Sequence, residues 1–286
     1  MIHERRPSPL HAARAGVGAV WCLVLGAVAL SFEHPLLLVT LLAVTLAAAA
    51  AAHAGRALAR SLRWAVPFAV AITAVNALVT RDGVTVLFRG GTVPGIGRID
   101  ITAEALAYGA VLGLRAVVVM VAAGALLATA IDPDELLRAL RTRSLRAGVT
   151  AALATHLIPV LARDGRRLAD AQRALSGTTP RLAVLRAVTA GALDRATDVA
   201  ATLEVRGFGS GARPPRLPRP VSRHDLAFGA SAAALMALAV ASGLGGWEGF
   251  EAYPRTAAPV GIPLLALAAA LAGCALAPFL DRRGIE

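Results

Sequence analysis

Four aspartates in the second half of the sequence are of a type that could hold a divalent metal ion and act on phosphate groups. They are Asp164, Asp170, Asp194 and Asp198. Such chemistry needs several acidic or histidine side chains in one site. Only Asp194 and Asp198 stand one helical turn apart, so the pattern offers a single pair and a weak metal site.

A glycine-rich segment resembles part of a phosphate-binding loop, with Gly207, Gly209 and Gly211 in alternate positions. No Gly-Lys-Ser/Thr follows it, and the chain contains no lysine. A nucleotide site is therefore not expected. His156 has no second ligand at metal spacing, and Cys22 and Cys274 lie in apolar runs as small buried side chains. The sequence predicts no catalytic residue, cofactor or metal site.

The basic residues are all arginine, and they number 29 against 18 acids, for a formal net charge of +11. This excess suggests either nucleic acid or an anionic membrane surface. The chain has 286 residues, of which 57% are hydrophobic and 16% charged, whereas a soluble domain has about 45–50% apolar residues. The lipid bilayer is therefore the expected partner, no nucleic-acid partner is expected, and the predicted class is an all-α polytopic membrane protein.

Six apolar stretches predict transmembrane helices. They are Gly16–Leu30, Pro35–Ala52, Trp64–Val79, Ala103–Ala130, Leu226–Leu244 and Ala258–Leu280. Between the third and the fourth, residues 81–101 alternate short β-prone runs with turn residues, which predicts an external β-hairpin. A cleaved signal peptide is not expected, because the second apolar stretch follows the first at once.

The charge distribution predicts how these helices are oriented. Residues 131–225 carry sixteen arginines against nine acids, so the positive-inside rule makes this region cytoplasmic. The predicted parts are residues 1–130 and 226–286 in the membrane and residues 131–225 outside it, with both termini cytoplasmic. The apolar run Ala147–Ala162 would invert the second half if it crossed the membrane. We expect it to be a helix in or just under the interface.

Two long amphipathic helices are predicted within the cytoplasmic part. Apolar residues at helical spacing define the first through Leu157, Leu161, Leu168, Ala171 and Leu175, and the second through Leu185, Val188, Ala192, Ala196, Val199 and Leu203. The second helix follows the start signal Thr178-Thr179-Pro180, and a proline-rich connector comes after its glycines. An arginine at the end of such a helix suits contact with a partner's carboxylates or carbonyl groups, or with anionic lipid headgroups.

Three other features have both structural and functional interpretations. Arg115 lies inside the fourth apolar stretch, where a charge is costly unless it is paired or functional. Asp132-Pro133-Asp134-Glu135 predicts a helix start, because proline suits the first turn and acids suit the positive end of the helix dipole. His156 and Pro159 are expected to set packing and a bend.

The order of these segments resembles the transmembrane T component of energy-coupling factor (ECF) transporters, the family that includes the cobalt-transport permease CbiQ. The resemblance covers residues 101–211 well and the flanking spans in hydropathy only. It rests on ordered blocks, ITAEALAYGAVLGLRAVVVM, LLATAIDPDELLRAL, HLIPVLARD, DAQRALSG and ATLEVRGFG.

The last two blocks resemble the family's Ala-Arg-Gly-type coupling motifs, which bind ATPase subunits. The second motif falls on Val205, Arg206 and Gly207, with Glu204 beside it. There Val replaces the usual Ala, and the Arg-Gly pair is intact. The first motif falls on Ala174, Leu175 and Ser176, where Leu175 replaces the expected arginine. Either Arg173 substitutes for that arginine, or the helix docks mainly by apolar contact.

The resemblance implies a non-catalytic scaffold in a prokaryotic cell membrane. Its partners would be two ABC-type ATPase subunits, bound through the coupling helices, and one substrate-binding membrane subunit, bound through the spans. ATP-driven closure would move the coupling helices and drive uptake of a vitamin or a transition-metal ion such as cobalt. An integral membrane enzyme acting on lipid or phosphate substrates stays open as the main alternative. A channel or secondary transporter is disfavoured by the absence of broken-helix pairs in the sequence.

Overall fold

A computed structural model describes residues 8–80, 83–93, 97–130, 145–176, 181–208, 221–247, 249–251 and 256–281. The chain divides into two compact units. The first unit comprises Met1–Asp132 with Pro220–Glu286, and the second comprises Pro133–Arg219.

Helices dominate both units. In chain order, the first unit begins with α1 (Pro9–Ala12), α2 (Ala15–Ser31), α3 (Pro35–Ala51), α4 (Gly55–Val79), β1 (Val86–Val93), β2 (Gly97–Thr102) and α5 (Ala103–Val121). Helix α5 continues through a π-helical turn, Ala122–Leu127, into a last turn, Ala128–Ala130. The second unit contains α6 (Leu145–Ser176) and α7 (Arg181–Val205), after which α8 (Arg223–Gly245) and α9 (Ile262–Leu280) complete the first unit.

Within the described residues, four helices are long and apolar enough to cross a membrane, namely α4, the whole of α5, α8 and α9. Helices α2 and α3 are apolar as well, but each has only 17 residues. The predicted fold class, an all-α polytopic membrane protein, is confirmed. The exact number of six spans stays a prediction, because it depends on the two shorter helices.

Aromatic side chains join α2, α8 and α9 at the centre of the first unit. Trp21 packs edge-on against Phe228 and Phe279, with ring centroids 5.3 and 5.6 Å away. The Trp21 indole N–H donates to Ser231 Oγ at 2.8 Å, and the Ser231 hydroxyl donates to the Cys274 carbonyl at 2.7 Å. Each buried polar group in this chain of contacts has a partner, as an apolar environment requires.

Helices α4 and α5 pack backbone against backbone along a seam of small residues. The Thr73 hydroxyl donates to the Gly109 carbonyl across the seam at 3.1 Å. A Cβ atom at Gly113 would lie 2.9 Å from the Ala69 carbonyl oxygen and 3.0 Å from Thr73 Oγ1. A larger residue at position 113 would therefore push the helices apart, and close small-residue contacts of this kind hold helices together in membranes.

The starts of α2 and α8 are joined by Asp225. Ser222 caps α8, and the Asp225 carboxylate accepts a hydrogen bond from the Ser222 N–H at 2.9 Å, which completes a capping box. The same carboxylate accepts the backbone N–H of Arg14 at 2.7 Å and pairs with Arg14 Nε at 3.3 Å. One acidic side chain thus fixes the first turns of two helices that are 211 residues apart in sequence.

Strands β1 and β2 form an antiparallel pair in the region where the turn residues predict a hairpin. Glu104 lies in the first turn of α5, and its buried carboxylate accepts the N–H of Thr85, just before β1, at 3.1 and 3.2 Å. This contact joins the start of the hairpin to α5. Thr102 caps α5 by accepting the Ala105 N–H at 3.3 Å. The external placement of the hairpin stays a prediction.

The largest differences from the predicted helices concern α4 and α6. Helix α4 begins at Gly55 rather than near Trp64, so Arg56, Arg60 and Arg63 belong to its first turns. Helix α6 runs unbroken from Leu145 to Ser176 through Pro159, so the apolar run and the amphipathic stretch form one helix of 32 residues. Arginine is a good helix former, and a change from apolar to charged composition does not end a helix. The predicted start at residues 132–135, the start signal at 178–180 and the proline-rich connector at 214–220 lie outside the described residues.

Candidate functional site at the ends of the two long helices

Helices α6 and α7 run in opposite directions and are clamped by an ion pair. Arg195 on α7 contacts Asp164 on α6 through Nη2 and Oδ2 at 3.1 Å, and both side chains are partly shielded from solvent. The Val188 side chain packs against Gly165, the residue next to Asp164. We call this ion pair the clamp.

The end of α7 is a Schellman turn built on Gly207. This residue has φ 74°, a left-handed conformation that glycine adopts without a side-chain penalty. Its N–H donates to the Glu204 carbonyl at 2.9 Å, and the Phe208 N–H donates to the Leu203 carbonyl at 2.9 Å. These two bonds satisfy carbonyl groups that a helix end otherwise leaves without partners.

This turn displays the predicted second motif. Arg206 is the residue between the last helical residue and Gly207, and its side chain is exposed. Val205 is 90% exposed. Glu204 is also exposed and, within the described residues, forms no ion pair with Arg206. The structure therefore places an arginine and an apolar side chain outward at a fixed backbone turn.

The end of α6 carries the predicted first motif in a different form. Arg173 is held by Asp170, one turn earlier on the same helix, at 2.6 Å. Leu175 is 86% exposed, and Ala174 is exposed beside it. Ser176 ends the helix, and its side chain lies outside the described part. Leu175 and Arg173 are thus both outward at this end, and Arg173 shares an exposed ion pair with Asp170.

The two ends are well separated. The last turns of α6 lie beside the first turns of α7, because Arg173 and Arg181 line the same cavity. Helix α7 has 25 residues, and at about 1.5 Å per residue it is about 37 Å long. The structure therefore does not bring the two motifs into one site, and instead presents them as two separate surfaces.

The four aspartates that could form a metal site do not converge. Asp164 and Asp170 are engaged by arginines, whereas Asp194 and Asp198 are exposed on α7. Among the described residues, no group of three or more histidine, cysteine or acidic side chains is arranged to hold a metal ion. His156 is exposed on α6. The main requirement of the enzyme alternative, clustered acids, is not met in this part of the chain.

Arg115 has a structural role at the turn between α2 and α3. Its Nη2 donates to the Phe32 carbonyl at 2.7 Å and lies 3.9 Å from Glu33 Oε1. A cation at this position complements the negative end of α2. The sequence identified the residue as unusual, but it gave no signal for a partner 83 residues away. The clamp and the Asp225 contact were missed for the same reason, since no local pattern marks them.

The long apolar helices among the described residues define the class of the protein, which is a multi-pass membrane protein. The sequence profile of the CbiQ family, described as cobalt transport protein, matches residues 6–216, and the chain belongs to this family. The match covers most of the chain, including α6 and α7 with both motif positions. No curated protein matches the chain.

Proposed function

We propose that this chain is the energy-coupling T component of an ECF-type ABC importer. In this proposal it is a non-catalytic scaffold that binds two ABC-type ATPase subunits and one substrate-binding membrane subunit. ATP hydrolysis takes place in the ATPases, and their motion is transmitted through α6 and α7. The family membership and the two displayed helix ends support this assignment.

The observation that carries the proposal is the geometry of Arg206. A helix end that must dock into another protein needs an anchor group at a fixed position, and the Schellman turn fixes the backbone on either side of Arg206. A guanidinium can make two parallel hydrogen bonds to a carboxylate or contact several carbonyl groups. In the proposal, Arg206 occupies a groove on one ATPase subunit, and Val205 supplies apolar contact beside it.

The end of α6 provides the second ATPase contact. Leu175 is 86% exposed, whereas Arg173 shares an exposed ion pair with Asp170 on its own helix, and in this proposal the end of α6 docks by apolar contact through Leu175. Burial of a leucine side chain contributes about 1.5–3 kcal/mol, which is comparable to a charged hydrogen bond.

The substrate-binding subunit binds to the membrane helices in this proposal. Helix α4 is the best candidate, because only 11% of its most apolar stretch is buried inside the protein. Its outward residues include the large side chains Trp64 and Phe68. The cargo is a transition-metal ion such as cobalt or a vitamin, and the partner subunit selects it. The protein resides in the prokaryotic cell membrane with both termini and α6–α7 on the cytoplasmic side.

Co-purification in detergent tests the ATPase contact. Wild-type protein expressed with its host's candidate ATPase subunits should retain them, and Arg206→Glu should release most of them. Arg186→Glu is the matched control, because Arg186 is an exposed arginine on the same helix, away from its end. If wild-type protein retains no ATPase, or if both variants lose it equally, the proposal fails.

A further inference from the structure

A cavity that is open to solvent lies between α6 and α7, close to the last turns of α6 and the first turns of α7. Its volume is about 640 Å³, and both helices line it. The inner surface is mostly apolar and includes Ala169, Val184 and Val188. Clefts of about 300–1,000 Å³ are typical of small-molecule sites.

The rim of the cavity is strongly basic. Arg166, Arg173 and Arg181 line it together with a single acid, Asp170. Asp170 pairs with Arg173 at 2.6 Å. In the described part of the chain, neither Arg166 nor Arg181 forms an ion pair, so two guanidinium groups remain for an anionic ligand.

The first turn of α7 adds to this positive potential. It begins with Arg181, contains no acid and lines the cavity. The amino end of a helix carries a partial positive charge, which a basic residue at that end makes less favourable and an anion relieves. An anionic group between Arg166 and Arg181 would therefore stabilise this end of the helix pair.

We propose that the cavity between α6 and α7 binds one anionic phospholipid, with its phosphate between Arg166 and Arg181 and the adjoining part of its acyl chains against Ala169, Val184 and Val188. The combination of a basic rim and an apolar interior matches an amphiphile. The chain is a membrane protein, and the second unit is joined in sequence to candidate spans at both ends, so phospholipids are locally abundant. The proposal goes beyond energy coupling and does not depend on it, because it is tested without ATPases.

Native mass spectrometry of the delipidated full chain in neutral detergent tests the proposal. The probes are dioleoyl phosphatidylglycerol, dioleoyl phosphatidylcholine and inorganic phosphate. We expect one phosphatidylglycerol molecule to bind at concentrations where phosphatidylcholine does not. The Arg166→Gln/Arg181→Gln variant should raise the apparent Kd about tenfold or more, because it removes both cations that attract the anionic headgroup.

Two further variants separate the cavity from general surface charge. Arg167→Gln/Arg186→Gln removes the same charge from exposed positions that do not line the cavity, and it should bind phosphatidylglycerol like the wild type. Ala169→Phe fills the cavity without changing charge, and it should lose the lipid. Circular dichroism must show unchanged helix content in each variant.

Several outcomes would overturn the lipid assignment. Equal loss of phosphatidylglycerol binding in both double variants would mean that the lipid is attracted to the basic surface in general. Equal binding of the two lipids would remove the role of the headgroup charge. Displacement of phosphatidylglycerol by an equal concentration of inorganic phosphate would point to a free anion. Unchanged phosphatidylglycerol binding in Arg166→Gln/Arg181→Gln would mean that these two arginines do not hold the headgroup.

Discussion

Arg115 on α5 donates a hydrogen bond to the Phe32 carbonyl oxygen at 2.7 Å and so caps the carboxyl end of α2. Phe32 is fully buried, and the Arg115 side chain is 17% exposed. The contact replaces water at a helix end that would otherwise have an unsatisfied carbonyl group.

Removal of this guanidinium should reduce stability rather than block energy coupling directly. In Arg115→Leu the Phe32 carbonyl loses its partner, and an unpaired buried polar group costs about 1–3 kcal/mol. We expect a lower thermal unfolding temperature in detergent, with ATPase subunits retained below that temperature. Arg115→Leu protein with wild-type unfolding but no transport in proteoliposomes would show that the residue has a direct functional role instead.

The seam between α4 and α5 should tolerate no side chain at position 113. In Gly113→Ala the new Cβ would lie 2.9 Å from the Ala69 carbonyl oxygen, closer than real Cβ contacts allow. Gly26→Ala is the matched control, because a Cβ there meets nothing within 4 Å. Gly113→Ala should lower the thermal unfolding temperature, whereas Gly26→Ala should leave stability unchanged or raise it by about 0.5–1 kcal/mol. Equal behaviour of the two variants would contradict the close packing.

The turn at Gly207 should be necessary for presenting Arg206. Gly207→Ala places a Cβ on a residue with φ 74°, which costs about 1 kcal/mol and favours a different turn. We expect weaker ATPase co-purification, with partial recovery in Gly207→Asn because asparagine tolerates this conformation. Gly191→Ala, in the interior of the same helix, has open space at the Cβ position and should retain the ATPases. Full retention by Gly207→Ala would mean that the turn does not position the arginine.

The end of α6 should respond to polarity at position 175. Leu175 is 86% exposed, and Leu175→Glu should weaken ATPase co-purification because a carboxylate cannot replace apolar contact. Leu193→Glu alters a leucine that is 68% exposed in the interior of α7, and it serves as the control. If Leu175→Glu retains the ATPases while Arg173→Glu loses them, the contact is made by the arginine and the apolar docking proposed for this end is wrong.

The turn between α2 and α3 should make stability depend on pH. His34 caps α3 by accepting the Leu36 N–H at Nδ1, at 3.2 Å, and burial lowers the pKa of His34 below its usual value. The neutral form is therefore favoured in the folded state, and its contribution is complete above the unfolded pKa of about 6.5. It is lost as the pH falls below that value.

The unfolding temperature of the wild type should therefore drop between about pH 8 and about pH 5.5. His34→Asn retains a capping acceptor that does not titrate, so its drop should be smaller. Parallel curves for the two proteins would exclude His34 as the titrating group.

Much of the fold could be predicted because it follows from local composition. The apolar stretch from Pro35 and the one ending at Ala130 have observed ends within one residue of the predicted ones. The start of α4 was misplaced because hydropathy reports the apolar part of a helix, and the preceding turns with Arg56 and Arg60 are polar. Pro159 predicts a bend; α6 continues through this residue without a break, and the bend stays a prediction.

The candidate site also contains features that could be predicted from local sequence and contacts that could not. The Arg206-Gly207 end of α7 could be predicted because a glycine after an apolar stripe is a local stop signal. The partners of Arg115 and Arg195 could not be predicted, because Phe32 and Asp164 are 83 and 31 residues away. Such contacts depend on how helices pack, and hydrophobic spacing does not specify which charged residues meet.

The clamp lies at the same distance from Leu175 on α6 as from Arg206 on α7. Leu175 lies eleven residues beyond Asp164, and Arg206 lies eleven residues beyond Arg195, so each arm is about 16 Å long. Because the helices run in opposite directions, the arms extend to opposite sides of the clamp. A scissoring rotation of about 10° would displace each end by about 3 Å. The two helix ends would move by equal distances, so the two ATPase contacts proposed above would be displaced equally.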